Sequence, residues 1–241
     1  MINLVGEAKP MTRAGFEEAL SIVGCNEAQL RTIIEVEALS CGFLQSKLLV
    51  ILYERHIFYK QTNGKYSIGY EDISSKQSTP AGKYGSNEYQ YTKLFKAATL
   101  NEHAALKSCS WGIGQILGEN YKLAGYATVE QMISEFIESE DSQVIAIAHF
   151  ISNVNIRSAV IKNDFDKIAL RYNGANYKKF GYDDKLRWAY KKNVNSYWDI
   201  ETRALQVKLF FAGFYTGKID GVNGPKTREA AANAAKKNAL I

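Results

Sequence analysis

The sequence predicts a mostly α-helical chain: one large helical domain with a small irregular or β insertion, followed by a short helical module. Three observations carry this. Apolar residues recur at helical spacing in run after run of the 241 residues, several runs opened by a Thr, Asn or Asp cap and closed by Gly. No stretch shows the repeated two-residue alternation of a sheet protein. One long polar segment, residues 62–88, interrupts the helical pattern and exceeds the length of an ordinary connector.

Residues 1–11 read as an arm ended by Pro10. Thr12 caps a helix with Phe16, Ala19, Leu20 and Val23 inward and Gly24 as its stop. Asn26 caps a second helix, expected to run to Gly42, and the chain is organised around its last turns, Ile33-Ile34-Glu35-Val36-Glu37-Ala38-Leu39-Ser40-Cys41-Gly42-Phe43. Leu30, Ile33, Ile34, Ala38 and Cys41 define an apolar face, and Glu37 lies on it. Glu35 lies on the other face, four residues after Arg31, where a solvated ion pair suffices. Burial raises a carboxyl pKa, so Glu37 is expected to hold its proton near neutral pH, as a general acid in glycoside cleavage must. At this point pairing with a buried Arg is the alternative.

The run Leu48-Leu49-Val50-Ile51-Leu52-Tyr53 is too short for periodicity to choose strand or helix. Glu54-Arg55-His56 follows, as either a structural ion-pair network or a second carboxylate facing a cleft. Within residues 62–88, a small hairpin is conceivable, and Tyr66, Tyr70, Asp72 and Tyr84 are candidates either to line a sugar groove or to face solvent. Tyr91, Leu94, Phe95 and Ala98 mark a helix, and Asn101 caps a further helical stretch over residues 102–108. In Ser108-Cys109-Ser110-Trp111-Gly112-Ile113-Gly114-Gln115-Ile116, two glycines beside a Trp and a Gln suit close backbone approach to a ligand. A Gly-rich helix start with a packed Trp is the other reading. Helices follow from about Thr128, over residues 140–154, from Asp164 to Gly174, and over residues 183–198.

A boundary falls near residues 198–201, dividing a domain of residues 1–198 from a module of residues 202–241. The module reads as an amphipathic helix over residues 202–215, a turn-dense loop, and a last helix over residues 226–238 entered at Pro225. The formal charge of +5 lies wholly there: seven Lys/Arg against two acids, the rest of the chain being balanced. A basic module seeking an anionic polymer, or simply a solvated tail, would carry such a charge. The three cysteines are widely spaced and read as reduced thiols, and none of the three His sits in a ligand pattern, so no metal and no cofactor are expected. No apolar run is long enough to span a membrane, and no secretory leader is visible at the start. Nucleic-acid binding is not expected, since no recognition motif accompanies the basic tail.

Val36-Glu37…Gly42-Phe43, Ile51-Leu52-Tyr53-Glu54-Arg55-His56, Ser110-Trp111-Gly112-Ile113-Gly114-Gln115-Ile116 and Tyr172-Asn173-Gly174, in this order and spacing, resemble the N-acetylmuramidase domain of phage endolysins. That domain is distantly similar to goose-type lysozymes and lytic transglycosylases, so a lysozyme-like fold over roughly residues 12–192 is implied. Leu205-Gln206…Gly213-Phe214-Tyr215-Thr216-Gly217…Ile219-Asp220-Gly221…Gly224-Pro225-Lys226-Thr227 resembles the helical type of peptidoglycan-binding module, without its usual third helical segment. The resemblance implies a catalytic Glu37 and an acidic Glu54 of less defined role, as a water-polarising base or as a holder of Arg55 and His56. Asp72 and Glu119 are weaker candidates for the base. It implies substrate contacts from Ser110, Trp111, Gln115, Tyr172 and Asn173, and wall binding through Phe214, Tyr215, Asp220 and Lys226. The implied activity is cleavage of the β-1,4 bond between N-acetylmuramic acid and N-acetylglucosamine, by hydrolysis or by attack of the muramyl 6-hydroxyl. A non-catalytic wall-binding protein is the competing reading. Peptidoglycan is the implied partner, a monomer the expected state, and the host cytoplasm the expected place of synthesis, with a phage holin giving access to the wall.

Overall fold

A computed structural model describes residues 3–37, 41–80 and 82–237. Thr12 accepts from the Gly15 amide and Gly24 closes the turn in the left-handed region, so α1 spans Arg13–Val23. Asn26 and Gln29 exchange side-chain and backbone hydrogen bonds, both 3.0 Å, a reciprocal cap that opens α2, Glu27–Glu37. α2 is described only to Glu37; residues 38–40 lie outside the described residues, and Cys41 and Gly42 are not helical. The expected helix end at Gly42 is therefore corrected. Gly42 serves close approach instead: a Cβ there would sit 1.9 Å from Gln143 Oε1.

The undecided apolar run becomes β1, Ile51–Tyr53, which pairs antiparallel with β2, Cys109–Trp111, and β2 with β3, Ile116–Leu117. Between β1 and β2 lie α3, Arg55–Gln61, and α4, Asn87–Lys107. Asn101 leaves helical geometry inside α4 and accepts from the Ala104 amide at 3.0 Å, so the internal cap read from the sequence is real. The long polar segment contains turns and, among its described residues, no strand, so the conceivable hairpin does not form. Its aromatics pack inward on α3 and α4: Tyr66 stacks on Phe58 and donates to the Leu100 carbonyl.

α5 (Val129–Phe136), α6 (Glu140–Asn153), α7 (Arg157–Ile161), α8 (Phe165–Asn173) and α9 (Tyr182–Asn195) complete the helical body. α7 has no counterpart in the sequence reading; its five residues are too few to show a period. α1 packs chiefly on α6 and α2 on α9. Gly15 lets the first pair approach, since a Cβ there would meet Asp141 at 2.3 Å.

The C-terminal segment forms α10, Ile200–Phe211, and α11, Pro225–Lys236, around a loop organised by Gln206. The Gln206 amide donates to Tyr215 Oη and Asp220 Oδ1 and accepts from the Asp220 and Gly221 amides. This segment continues the main core through Ile200, Val207, Leu209 and Ala234. Two of its seven cations join it to the body. Arg203 of α10 forms a double-bonded pair with Glu140 of α6, at 2.5 and 2.9 Å, both side chains buried. Lys218 reaches Glu35 of α2 at 2.7 Å. Trp198 packs on Phe16, with Arg13 and Arg31 over its ring.

Candidate active site

Glu37 ends α2 at the edge of a groove lined also by Phe43, Gln45, Val50, Asn87, Glu88 and Gln115. Removal from water raises its carboxyl pKa to about 7, against the opposing pull of the Asn173 amide and the Lys185 ammonium. The desolvation expected from the helical face is thus realised. The alternative of a buried Arg partner is not: the bond made to its Oε1 is from Asn173 Nδ2, at 2.8 Å.

Three of the four motif segments converge on this acid. Asn173 is the last residue of α8, and its neighbour Tyr172 donates to the Gly114 carbonyl at 3.0 Å, tying α8 to the turn between β2 and β3. Burial, and then the field of Glu37, push the Tyr172 phenol above its ordinary pKa, so it stays a donor. In the turn, Gly112 takes φ of +65° and Gln115 a strained +46°, rare for a residue with a side chain. That conformation sets Gln115 on the groove, its amide donating to the Gly112 carbonyl at 2.9 Å.

Ser110 and Trp111 are placed differently from each other. Trp111 is fully buried and its indole N–H donates to the Leu106 carbonyl at 3.0 Å, so it is a core residue and not a sugar platform. Half-buried Ser110 lies on the opposite face of β2 from Trp111, beside Leu52 and Leu117, and is not itself among the residues lining the groove.

Glu54 precedes α3 and does not line the groove. Tyr84 Oη donates to both its carboxylate oxygens, at 3.1 and 3.2 Å, and His56 Nδ1 lies 3.4 Å away. Of the candidate groove residues in the long polar segment, Tyr84 alone approaches the site: burial, Glu54 and then Tyr182 raise its phenol pKa. The weaker base candidates are engaged elsewhere, Asp72 with Lys96 at 2.8 Å and Glu119 with Lys60 and Gln61. Glu35, expected on a solvated face beside Arg31, is half-buried between Lys192 and Lys218, both at 2.7 Å. Arg31 instead pairs with Glu27 at 3.3 Å.

Several site residues lie outside the four muramidase-like segments. Tyr182 and Lys185 of α9 both act electrostatically with Glu37, and helical spacing alone gave them no mark. Phe210, Thr216 and Gly217 of the C-terminal segment line the same groove as Glu37. The turn-dense loop was visible, its position was not.

In the C-terminal segment, Tyr215 is buried and donates to the Lys218 carbonyl, while Asp220 is held by Gln206 and the Val222 amide. Both support the loop; burial of Tyr215 corrects the expectation that its ring meets the wall, while Asp220 is half-buried. Phe214 and exposed Lys226 instead border a shallow depression with Thr216, Glu229 and Asn233.

A family model described as Muramidase, N-acetylmuramidase, matches residues 26–193. The chain belongs to the N-acetylmuramidase family. Muramidases are glycoside hydrolases of peptidoglycan, and this chain is one of them. The muramidase fold is shared with a solved structure titled as the crystal structure of Burkholderia AP3 phage endolysin. The two are 30% identical, with a TM-score of 0.69 over 77% of this chain and 71% of that one. No curated protein matches the sequence. Among the described residues of this muramidase, no helix is long and apolar enough to cross a membrane, and no group of acidic, His and Cys side chains is arranged to hold a metal ion.

Proposed function

We propose that this muramidase is a phage endolysin that cleaves the β-1,4 bond between N-acetylmuramic acid and N-acetylglucosamine, with Glu37 as the general acid. The observation that carries the reading is a carboxyl set on a groove wall with one oxygen held by Asn173, where removal from water pushes its pKa up to about 7. The fixed oxygen orients the group and leaves the other to deliver the proton to the glycosidic oxygen as positive charge develops on the muramyl ring. Gln115 and Asn173 are the proposed sugar contacts, and Tyr172 positions the turn that carries Gln115. Phe214 and Lys226, on the proposed C-terminal wall-binding module, are the proposed wall contacts.

A second reading concerns the nucleophile. Glu54 is occupied by Tyr84, and Glu88 is the other carboxylate among the described groove-lining residues, exposed at the start of α4. This disfavours a water activated by Glu54 and leaves a water activated by Glu88, or attack by the muramyl 6-hydroxyl, as the routes to be separated. Digestion of purified peptidoglycan followed by mass analysis tests both points. Muropeptides with muramic acid at the reducing end support the bond assignment. Products lighter by one water support the anhydro route, and hydrated products support a base. An unaltered digest with Glu37→Gln refutes the acid assignment.

A further inference from the structure

The molecule carries a second trough that the reaction above does not use. Its lining includes Glu35 of α2, Asp184, Lys185 and Trp188 of α9, and Lys218 of the C-terminal segment. Lys185, in the trough, lies close enough to Glu37 to lower its pKa, and Trp188 stands about one turn further along α9. The trough therefore lies beside the acid that ends α2.

Trp188 is 65% exposed, whereas Trp111 is fully buried and Trp198 is packed against Phe16. An indole left in water costs apolar hydration unless something covers it, and its flat face suits the C–H face of a pyranose. Lys192 lies 5.9 Å from the ring centroid, and Lys185 and Lys218 stand in the trough. Lys192 and Lys218 are both bonded to Glu35, while no ion pair links Lys185 to the acids around it, Asp184 and Glu35. A neutral sugar paired with a carboxylate is the ligand chemistry that an exposed indole beside an ammonium group recognises.

We propose that the Trp188 trough is a distal subsite for the glycan strand whose scissile bond lies at Glu37. Trp188 stacks on a saccharide one or more units from the cleaved bond, and Lys185 meets a carboxylate carried on that strand. The proposal rests on the muramidase reading of the groove. Its occupant is the strand itself, because the trough lies beside Glu37 and presents, next to the exposed indole, the Lys185 ammonium that no ion pair among the described residues holds.

The test uses the full chain. In Glu37→Gln, whose turnover is expected to be slowed at least a hundredfold, iodide quenching of Trp fluorescence reports chiefly the exposed Trp188. Saturating soluble, uncrosslinked peptidoglycan strands are expected to shield it at least threefold. In the active chain, Trp188→Ala should raise KM for long strands about tenfold with kcat within twofold, the pattern of lost uniform binding. Trp188→Tyr should recover most of that loss, and circular dichroism of both variants should match the parent. Unchanged quenching at saturation, or an unchanged KM in Trp188→Ala, overturns the subsite. Absence of any reducing-end or anhydro product from the parent chain is a different failure, that of the muramidase reading.

Discussion

Glu37 is held in its less costly state at a measurable expense to the fold. A carboxyl whose pKa rises from 4.5 to about 7 on folding binds more protons in the native than in the unfolded chain between those values. Native stability therefore falls as pH rises through that window, by about 3 kcal/mol in full. Glu37→Gln, which cannot ionise, should thus melt higher than the parent at pH 8 and equal to it at pH 4, while activity falls by 10²–10⁴-fold, about what a general acid contributes. Thermal melts at the two pH values, with a turbidity assay alongside, check both halves. Asn173 and Lys185 pull the same pKa down. Lys185→Ala should then move the alkaline limb of the pH–rate profile to higher pH, because the acid keeps its proton longer. A profile displaced to lower pH would contradict the placement of Lys185.

At the scale of elements, the turn between β2 and β3 shows why the site depends on glycine. Gly112 has φ of +65°, and a Cβ there would lie 2.5 Å from Gln143 Oε1, the atom that accepts the Ile113 amide at 2.7 Å. Gly112→Ala should cost about 1–3 kcal/mol, combining a left-handed backbone with a displaced hydrogen-bond acceptor, and a urea melt would measure it. The caps that open α1, α2, α5 and α8 were legible because a cap is a local bond between residues three apart: Thr12, Asn26, Thr128 and Asp164 each accept from an amide so placed. Glu37 was legible for a related reason, since its burial follows from the apolar face of its own helix. The role of Trp111 was not. Whether an indole faces a core or a groove depends on strand register, and the Cys109–Trp111 strand shows its alternation over three residues only. Glu35 failed similarly: its partners Lys192 and Lys218 come from 157 and 183 residues away, where no helical spacing reaches.

The whole molecule is closed by Glu140. Its carboxylate accepts from the Met11 amide at 3.0 Å, the Gly42 amide at 2.9 Å and both guanidinium nitrogens of Arg203. One acid thus joins the N-terminal arm, the segment that follows α2 and the C-terminal segment. Burial alone would raise its pKa, but Arg203 and the two amides outweigh it and hold the carboxyl below its ordinary value. Removing the cation leaves a buried charge with no counterion, which typically costs about 3–5 kcal/mol, whereas replacing both members can be near neutral. Arg203→Met should therefore lose about that much stability, and Glu140→Gln with Arg203→Met should recover a large part of it, since the Gln carbonyl still accepts one amide. The same reasoning bears on dividing the chain at residue 198. A fragment of residues 1–198 lacks Arg203 and Lys218, leaves Glu140 and Glu35 short of cations, and uncovers Trp198 and the apolar surface under Ile200, Val207 and Leu209. It also lacks Phe210, Thr216 and Gly217 from the groove wall. A separable tether would leave such a fragment folded and able to cleave soluble strands at the parental rate. A segment built into the groove predicts a fragment that melts at least 10 °C lower and cleaves soluble strands at under a tenth of the parental kcat/KM, which calorimetry and a reducing-end assay would decide.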